Sequence, residues 1–168
     1  MDEDQDREHR RAAVVRIRAI RLHHHVTRPV MAERLGCARS TVSIWERQMR
    51  DWRVATMCRR ARILGHPLVL RVDGVAVEDG DPVVAMYGAL ARGDDIYYGQ
   101  WVKAVLVAAH RRDGGVDLPV RSGHASRDSY RCLLGSGDDP TMRSLQRLAR
   151  AVGGRCVASF TDDPLGDL

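Results

Sequence analysis

Apolar residues recur at helical spacing along the first third of the chain. The run "REHRRAAVVRIRAIRLHHH" carries five that lie on neighbouring turns: Ala13, Val14, Ile17, Ile20 and Leu22. This spacing, with arginines on the other faces, predicts a helix from about residue 8 to residue 24. The next segment, "VTRPVMAERLG", predicts a second helix. Thr27 suits an N-cap, Pro29 is tolerated in a first turn and Gly36 suits the position after a helix. Its buried stripe is predicted to be Val30, Met31, Ala32 and Leu35.

A short third helix is predicted over residues 41–48, within "RLGCARSTVSIWERQ". Val42 and Trp45 are one turn apart and are expected to face the core, with Ile44 at the edge of that face. Which residue caps this helix stays open, since Ala38 stands where a capping residue is expected and Arg39 and Ser40 are the next candidates. A fourth helix, "RVATMCRRARILG", ends at Gly65.

The pattern changes at "HPLVLRVDGVAVEDGDP", which is rich in strand formers. Asp73-Gly74 is a hairpin-turn dipeptide, so residues 67–79 predict a short hairpin or an extended linker. Beyond it we predict a helix from Asp81, a helix over about 95–112, three shorter helices within "VDLPVRSGHASRDSYRCLLGSGDDPTMRSLQRLARAVGG" and a last strand, "RCVASF".

The two halves of the chain share a repeat. Residues 56–72 and 144–160 align at an offset of 88, which matches Gly65 with Gly153; upstream the offset is 87, which matches Asp51 with Asp138. The fold class is therefore predicted as mainly α, with two small helical domains in tandem, joined by a short β hairpin or extended segment. The predicted boundaries are a disordered acidic tail over 1–7, a first helical domain over 8–66, a β or linker segment over 67–80, a second helical domain over 81–160 and a tail over 161–168.

Charge separates the two halves. From Arg7 to His66 the chain has 15 arginines and 4 acidic residues, whereas residues 67–168 carry a small excess of acids. Contacts with a phosphate backbone are the commonest reason for such a compact basic unit, and a solvated basic face without a partner is the alternative.

The segment "VTRPVMAERLGCARSTVSIWERQMRDW…MCRRARILG" resembles the lambda-repressor-like family of helix-turn-helix proteins, also called Cro/CI or XRE. Met31-Ala32 fills the Leu-Ala positions of its second helix, Gly36 the turn glycine, and "STVSIWERQ" the recognition helix. Arg28 stands where the family often has Gln, and a fainter likeness in the second half suggests a degenerate copy. The resemblance implies that the two tandem domains are of helix-turn-helix type: a DNA-binding domain over 8–66 and a second helix-turn-helix-like domain over 81–160. It also implies that Glu46 is bonded inside the protein.

In this family the third helix enters the major groove and its neighbours contact the backbone. The predicted base-reading residues are Arg39, Ser40, Thr41, Ser43 and Arg47. Hydroxyls and an arginine suit base edges, and an arginine can pair with guanine through two hydrogen bonds. The predicted phosphate-binding residues are Thr27, Arg28, Arg50 and Arg53. For each arginine, a solvated surface charge is the alternative.

Other chemistry is not indicated. The four cysteines lie far apart, without a C-x-x-C pair, so buried thiols are expected at Cys58 and Cys156 rather than zinc or disulfides. No catalytic motif is present, and we expect no enzyme, catalytic residue, metal or cofactor; "HHH" at 23–25 cannot easily share one ion. No ligand pocket is evident from the pattern.

The start has no signal-peptide core and no apolar run spans a bilayer, so a cytoplasmic protein without membrane contact is expected.

The sequence therefore predicts a sequence-specific regulator of transcription that binds double-stranded DNA, a repressor of phage or mobile-element type such as a phage immunity repressor. It would act as a homodimer, or as a monomer that uses both domains. One alternative is an antitoxin-like protein that grips a protein partner through residues 81–160 and autoregulates through DNA binding. Another is a non-specific DNA-binding protein.

Overall fold

The protein is described by a computed structural model over residues 3–48, 51–75, 80, 82–92, 97–112 and 139–161. These residues are mainly helical, with one small antiparallel sheet. The helices are α1 (Glu3–His23), α2 (Arg28–Leu35), α3 (Arg39–Gln48), α4 (Val54–Ile63), α5 (Pro82–Ala91), α6 (Tyr98–Arg112) and α7 (Met142–Ala151), and the strands are β1 (Leu68–Asp73) and β2 (Arg155–Phe160). Residues 113–138 and 162–168, and with them the predicted helices between 116 and 138, lie outside the described residues.

The first helix begins earlier than the apolar spacing predicts. α1 starts at Glu3 rather than near residue 8, so residues 3–7 are helical and the expected disordered tail over 1–7 is wrong for this part. The reason is a distant contact, because the Asp6 side chain is buried and lies 2.7 Å from Arg150 of α7 in an ion pair without hydrogen-bond geometry. Glu3 pairs with Arg143, which also belongs to α7. The acidic residues therefore fix the start of α1 rather than solvate a tail.

Local signals set both ends of α2 as predicted. Thr27 is the N-cap residue, and its hydroxyl accepts a weak hydrogen bond of 3.5 Å from Val30 N–H. Gly36 ends the helix with a φ of 65°, a left-handed conformation that costs glycine little. The burial pattern differs in detail: Val30 of α2 and Leu22 of α1 are exposed, and Arg21 is buried instead.

The sheet joins distant parts of the chain. β1 pairs antiparallel with β2, with Leu68 opposite Phe160 and Val72 opposite Cys156. The last strand is thus confirmed at residues 155–160, but the described partner of β1 is not the neighbouring strand that a local hairpin requires. Residues 76–79, which would form the return strand of that hairpin, lie outside the described residues. Gly74 has a φ of 76°, so it does turn the chain after β1.

The repeated segments contact each other reciprocally. Val54 N–H donates to Pro140 C=O at 3.0 Å, and Met142 N–H donates to Trp52 C=O at 2.9 Å. Each bond becomes the other when 88 is added to one residue number and subtracted from the other. Such exchange of roles is the mark of an isologous, two-fold contact, here formed within one chain.

The carboxylates beside this contact follow the same rule. Asp139 Oδ1 accepts from Ala55 N–H at 2.9 Å, and Asp51 Oδ1 accepts from Arg143 N–H at 2.9 Å. Each aspartate thereby satisfies a free backbone donor in the first turn of the other copy's helix. The structural counterpart of Asp51 is therefore Asp139, so the predicted match of Asp51 with Asp138 at an offset of 87 is wrong.

Both repeats contribute to one hydrophobic core. Fully buried side chains from α1, α4 and α7 meet in a single cluster that also contains residues of α2, α3, α6 and both strands. Its largest completely buried members are Ile17, Ile20, Met31, Met57, Leu106, Met142, Leu145 and Leu148. The segment that bears α2 and α3 therefore rests on a core to which the later half also belongs. None of the described helices has the length and apolarity that a membrane span requires.

Candidate nucleic-acid interface

The bend between α2 and α3 is closed by backbone hydrogen bonds. Gly36 N–H donates to Glu33 C=O and Cys37 N–H donates to Ala32 C=O, each at 3.0 Å. α3 then begins at Arg39, two residues before its predicted start. The residue that precedes it is Ala38, whose carbonyl accepts from Thr41 N–H, so neither Arg39 nor Ser40 stands in the N-cap position.

The helix α3 has one buried face and one exposed face. Val42 and Glu46 are each 3% exposed, and Trp45 packs partly buried against the core. The predicted base-reading residues lie on the remaining surface: Arg39, Ser40, Thr41 and Arg47 are exposed, and Ser43 is half-buried. The exposed hydroxyl groups of α3 therefore lie between two exposed arginines, Arg39 at the start of the helix and Arg47 near its end, and this surface is available to a groove.

Ile44 also belongs to the exposed face. Its side chain is 50% exposed, so its predicted place at the edge of the core is wrong. At about 100° per residue, position 44 lies about 40° from position 40 and about 60° from position 47 around the helix, and about 160° from Val42. The sequence signal was the spacing of four residues from Ser40 and three residues from Arg47, which the apolar character of Ile44 concealed. An exposed isoleucine here can contact a thymine methyl group.

A buried carboxylate anchors α3 to the two helices before it. Glu46 accepts hydrogen bonds from Arg21 Nε and from Arg28 Nε, each at 2.7 Å, and the Glu46 side chain is 2% exposed. Burial by itself would raise the pKa of Glu46, but the two arginines outweigh it and hold the pKa below its ordinary value. Glu46 is thus bonded inside the protein, as the resemblance implied, and fixes the orientation of α3.

A second contact holds α3 against α4. The guanidinium of Arg60 lies 3.9 Å from the centre of the Trp45 ring, in a cation–π contact. Burial lowers the pKa of Arg60 to about 10, so this group remains charged at neutral pH. This cation–π contact is specific to the first repeat, because the residue of α7 that corresponds to Arg60 is Leu148, which is also buried.

The predicted phosphate-binding residues do not form one set. Thr27 and Arg28 lie together at the start of α2, with Arg28 a third exposed and bonded to Glu46 through Nε alone among the described residues. Arg53 lies elsewhere, at the contact between the repeats, where its Nη1 donates to the Asp139 carbonyl at 2.6 Å. Arg50 lies outside the described residues. The start of α2 is therefore the described place where predicted phosphate donors and a helix N-terminus coincide.

The histidines at the end of α1 form a contact with the turn after α4. His24 Nε2 lies 2.8 Å from His66 Nε2, and the two rings are stacked with their centres 5.0 Å apart. Desolvation and the neighbouring His66 lower the pKa of His24 below its ordinary value of 6.5. Among the described residues there is no group of three or more side chains arranged to hold a metal ion. The two Nε2 atoms are within hydrogen-bond distance, so one ring can donate to the other.

The surface formed by the exposed sides of α2 and α3, which we call the α2–α3 face, is basic. Arg34, Arg39 and Arg47 are exposed on it, and no acidic side chain of the described ranges is in ion-pair distance of these three. Glu33 is also exposed there, while Glu46 is buried beneath the surface.

Comparison of the chain with protein-family models, with curated proteins and with solved structures found no match.

Proposed function

We propose that the protein is a sequence-specific regulator of transcription that binds double-stranded DNA and inserts α3 into the major groove. The observation that carries this proposal is the division of α3 into a face locked by Val42, Trp45 and Glu46 and an exposed face of hydroxyls, Ile44 and arginines. A helix inserted into a groove must be held rigidly by one face and must present base-reading groups on the other.

Each exposed group has a DNA partner of matching chemistry. Arg47 can donate two hydrogen bonds to guanine, Ser40 and Thr41 can bond a base edge or a phosphate, and Ile44 can contact a thymine methyl group. Thr27 and Arg28 at the start of α2 supply phosphate contacts that set the position of α3 along the duplex. The helix-turn-helix resemblance and the basic α2–α3 face support the same orientation of the protein on DNA.

Regulation would follow from occupancy of the site. A compact chain seated over a promoter excludes polymerase, so we propose that the protein is a repressor, as the lambda-repressor-like resemblance implies. One reading helix makes few base contacts, so a second is expected from another chain or from the 81–160 half.

Selection from random duplexes, followed by fluorescence anisotropy, tests the proposal. The recovered duplex should bind at least roughly a thousandfold more tightly than a random duplex at physiological salt, the lower end of the range for specific recognition. Ile44→Ala should weaken binding to the recovered duplex alone, and Val15→Ala, at an exposed apolar residue of α1, is the matched control. A ratio of affinities near one would contradict the proposal and favour a non-specific DNA-binding protein.

A further inference from the structure

An open cavity of about 550 Å³ lies between α5 and α6, and none of its described lining residues belongs to α2 or α3. Val84, Ala85, Gly88, Ala91 and Arg92 of α5 form one side, and Tyr98 and Trp101 of α6 form the other. The volume is within the range of pockets that hold small molecules, roughly 300–1,000 Å³. The hydrophobic pattern of the chain gives no sign of this cavity, because it arises from missing side-chain volume.

The small residues of α5 create the space. Ala85, Gly88 and Ala91 follow one another at intervals of three residues, so they lie on neighbouring turns of the same side of the helix. A Cβ atom on Gly88 would lie 3.3 Å from Trp101 Nε1, which places this glycine directly opposite the indole ring. A longer side chain at position 88 would therefore press against the indole ring that lines the cavity.

The lining combines aromatic rings with one cation. Tyr98 and Trp101 are stacked, with ring centres 5.8 Å apart and an angle of 27° between the planes, and Val84 with the two alanines makes the rest of the wall apolar. Arg92, at the end of α5, is exposed and is the one charged residue among the described residues of the lining. We propose that this cavity binds a small aromatic monoanion, a carboxylate or sulfonate, with its ring on Trp101 and its anionic group on Arg92.

The cavity wall is linked to the repeat contact beneath it. Tyr98 OH accepts a hydrogen bond from Leu70 N–H at 2.8 Å and donates to Leu70 C=O at 3.3 Å, so it holds the middle of β1. Gly99 packs so closely on α4 that an added Cβ atom would lie 3.1 Å from Val54 Cβ. A ligand that moves the start of α6 therefore shifts α4, which carries the Arg60 contact to α3.

Binding of the ligand and its effect on DNA affinity are separable. Binding of the aromatic anion depends on the cavity alone. An effect of that ligand on DNA affinity rests also on the proposed function, and linkage requires any such effect to be reciprocal, so that DNA changes ligand affinity by the same factor.

Titration of the full chain with 8-anilinonaphthalene-1-sulfonate, followed by fluorescence, tests the site. We expect saturation at one probe per chain, displacement by 1-naphthoate, and roughly tenfold weaker displacement by the uncharged 1-naphthalenemethanol. Gly88→Leu should abolish saturable binding, while Ala12→Leu on the exposed side of α1 should leave it unchanged. Saturation that persists in Gly88→Leu, or is absent in the wild-type chain, would overturn the proposal.

Arg92 provides a second test that does not alter the packing of α5. Arg92→Gln should remove most of the difference between 1-naphthoate and 1-naphthalenemethanol, whereas Arg11→Gln on α1 should preserve it. If Arg92→Gln retains the wild-type preference for the anion, the assigned ligand class is wrong.

DNA binding measured with and without 1-naphthoate tests the linkage. We expect the affinity for DNA to change at least threefold. An unchanged affinity would limit the site to binding without regulation, which overturns the proposed linkage.

Discussion

Two arginine-bearing surfaces of this protein differ in what their charges contact. On α7, Arg143 and Arg150 pair with Glu3 and Asp6 at the start of α1, and Arg147 lies 3.6 Å from Glu3. On the α2–α3 face, Arg34, Arg39 and Arg47 are exposed without an acidic partner among the described residues. Three arginines on each surface therefore produce a largely neutralised surface on α7, where two carboxylates face them, and a basic surface on the α2–α3 face.

The comparison teaches that net charge per segment is a poor guide to a phosphate-binding face. The acidic residues Asp2, Glu3, Asp4 and Asp6 stand just before the basic unit in the sequence, and they would lower its charge if they lay beside it. Instead, α1 carries Glu3 and Asp6 to the far repeat, where they neutralise α7. The α2–α3 face keeps its field because the compensating charges lie elsewhere.

The buried anchor of α3 offers the largest expected effect. Glu46→Gln would leave Arg21, whose side chain is 6% exposed, without its ionised partner, and should lower the free energy of unfolding by about 3 kcal/mol. Urea unfolding followed by circular dichroism measures this. Glu33→Gln, an exposed carboxylate of α2, is the matched control and should change stability by less than about 0.5 kcal/mol. A loss below 1 kcal/mol for Glu46→Gln would mean that the pair does not hold α3.

The contrast between the two surfaces is tested directly by Arg47→Ala and Arg143→Ala. Arg47→Ala should weaken binding to a selected duplex by roughly tenfold to a hundredfold, because a bidentate contact with guanine is lost. Arg143→Ala should leave that affinity within about twofold, since its charge already faces Glu3. Fluorescence anisotropy at fixed salt, with a random duplex beside the selected one, separates base reading from charge. Equal losses for the two variants would reverse the comparison.

Local signals predicted the parts of the fold that local interactions determine. Thr27, Gly36, the glycine after α4 and the strand at 155–160 are each confirmed, because caps, left-handed turns and strand propensity act over a few residues. The repeat at an offset of 88 residues was also visible, because it depends on the match of two short segments. Its consequence was not, since the reciprocal bonds of Asp51 and Asp139 join segments that are far apart in the chain.

The candidate site was predictable in composition and less so in geometry. Arg39, Ser40, Thr41 and Arg47 are exposed as a groove-facing helix requires, but their contact with DNA stays a prediction. Ile44 was placed at the edge of the core face because periodicity treats every apolar side chain as a candidate for burial. The assignment of Arg53 to the phosphate set failed to anticipate its bond to Asp139, which depends on the packing of the two repeats.

Histidine protonation should weaken both ends of α1. Desolvation, with nearby positive charge from Arg155 at His9 and from His66 at His24, lowers the pKa of each ring below 6.5. The neutral rings are favoured in the folded chain, so stability should be constant above pH 6.5 and fall as the pH drops below it. Urea midpoints between pH 7.5 and pH 5.0 measure the fall. His9→Gln and His24→Gln should each reduce it while matching the wild type at pH 7.5, and a wild-type slope in both would remove the rings as the cause.

The smallest effect concerns Glu3, whose exposed ion pairs should contribute less than about 1 kcal/mol to stability. Glu3→Gln releases Arg143 and Arg147 from their acidic partner without touching the α2–α3 face. If α7 lies away from the DNA, the slope of log affinity against log salt should stay at the wild-type value. Arg28→Gln, in contrast, should make that slope shallower by about one, because a phosphate contact is lost. A slope that steepens by about one for each released arginine in Glu3→Gln would mean that α7 also contacts phosphates, and that α1 conceals a second basic surface there.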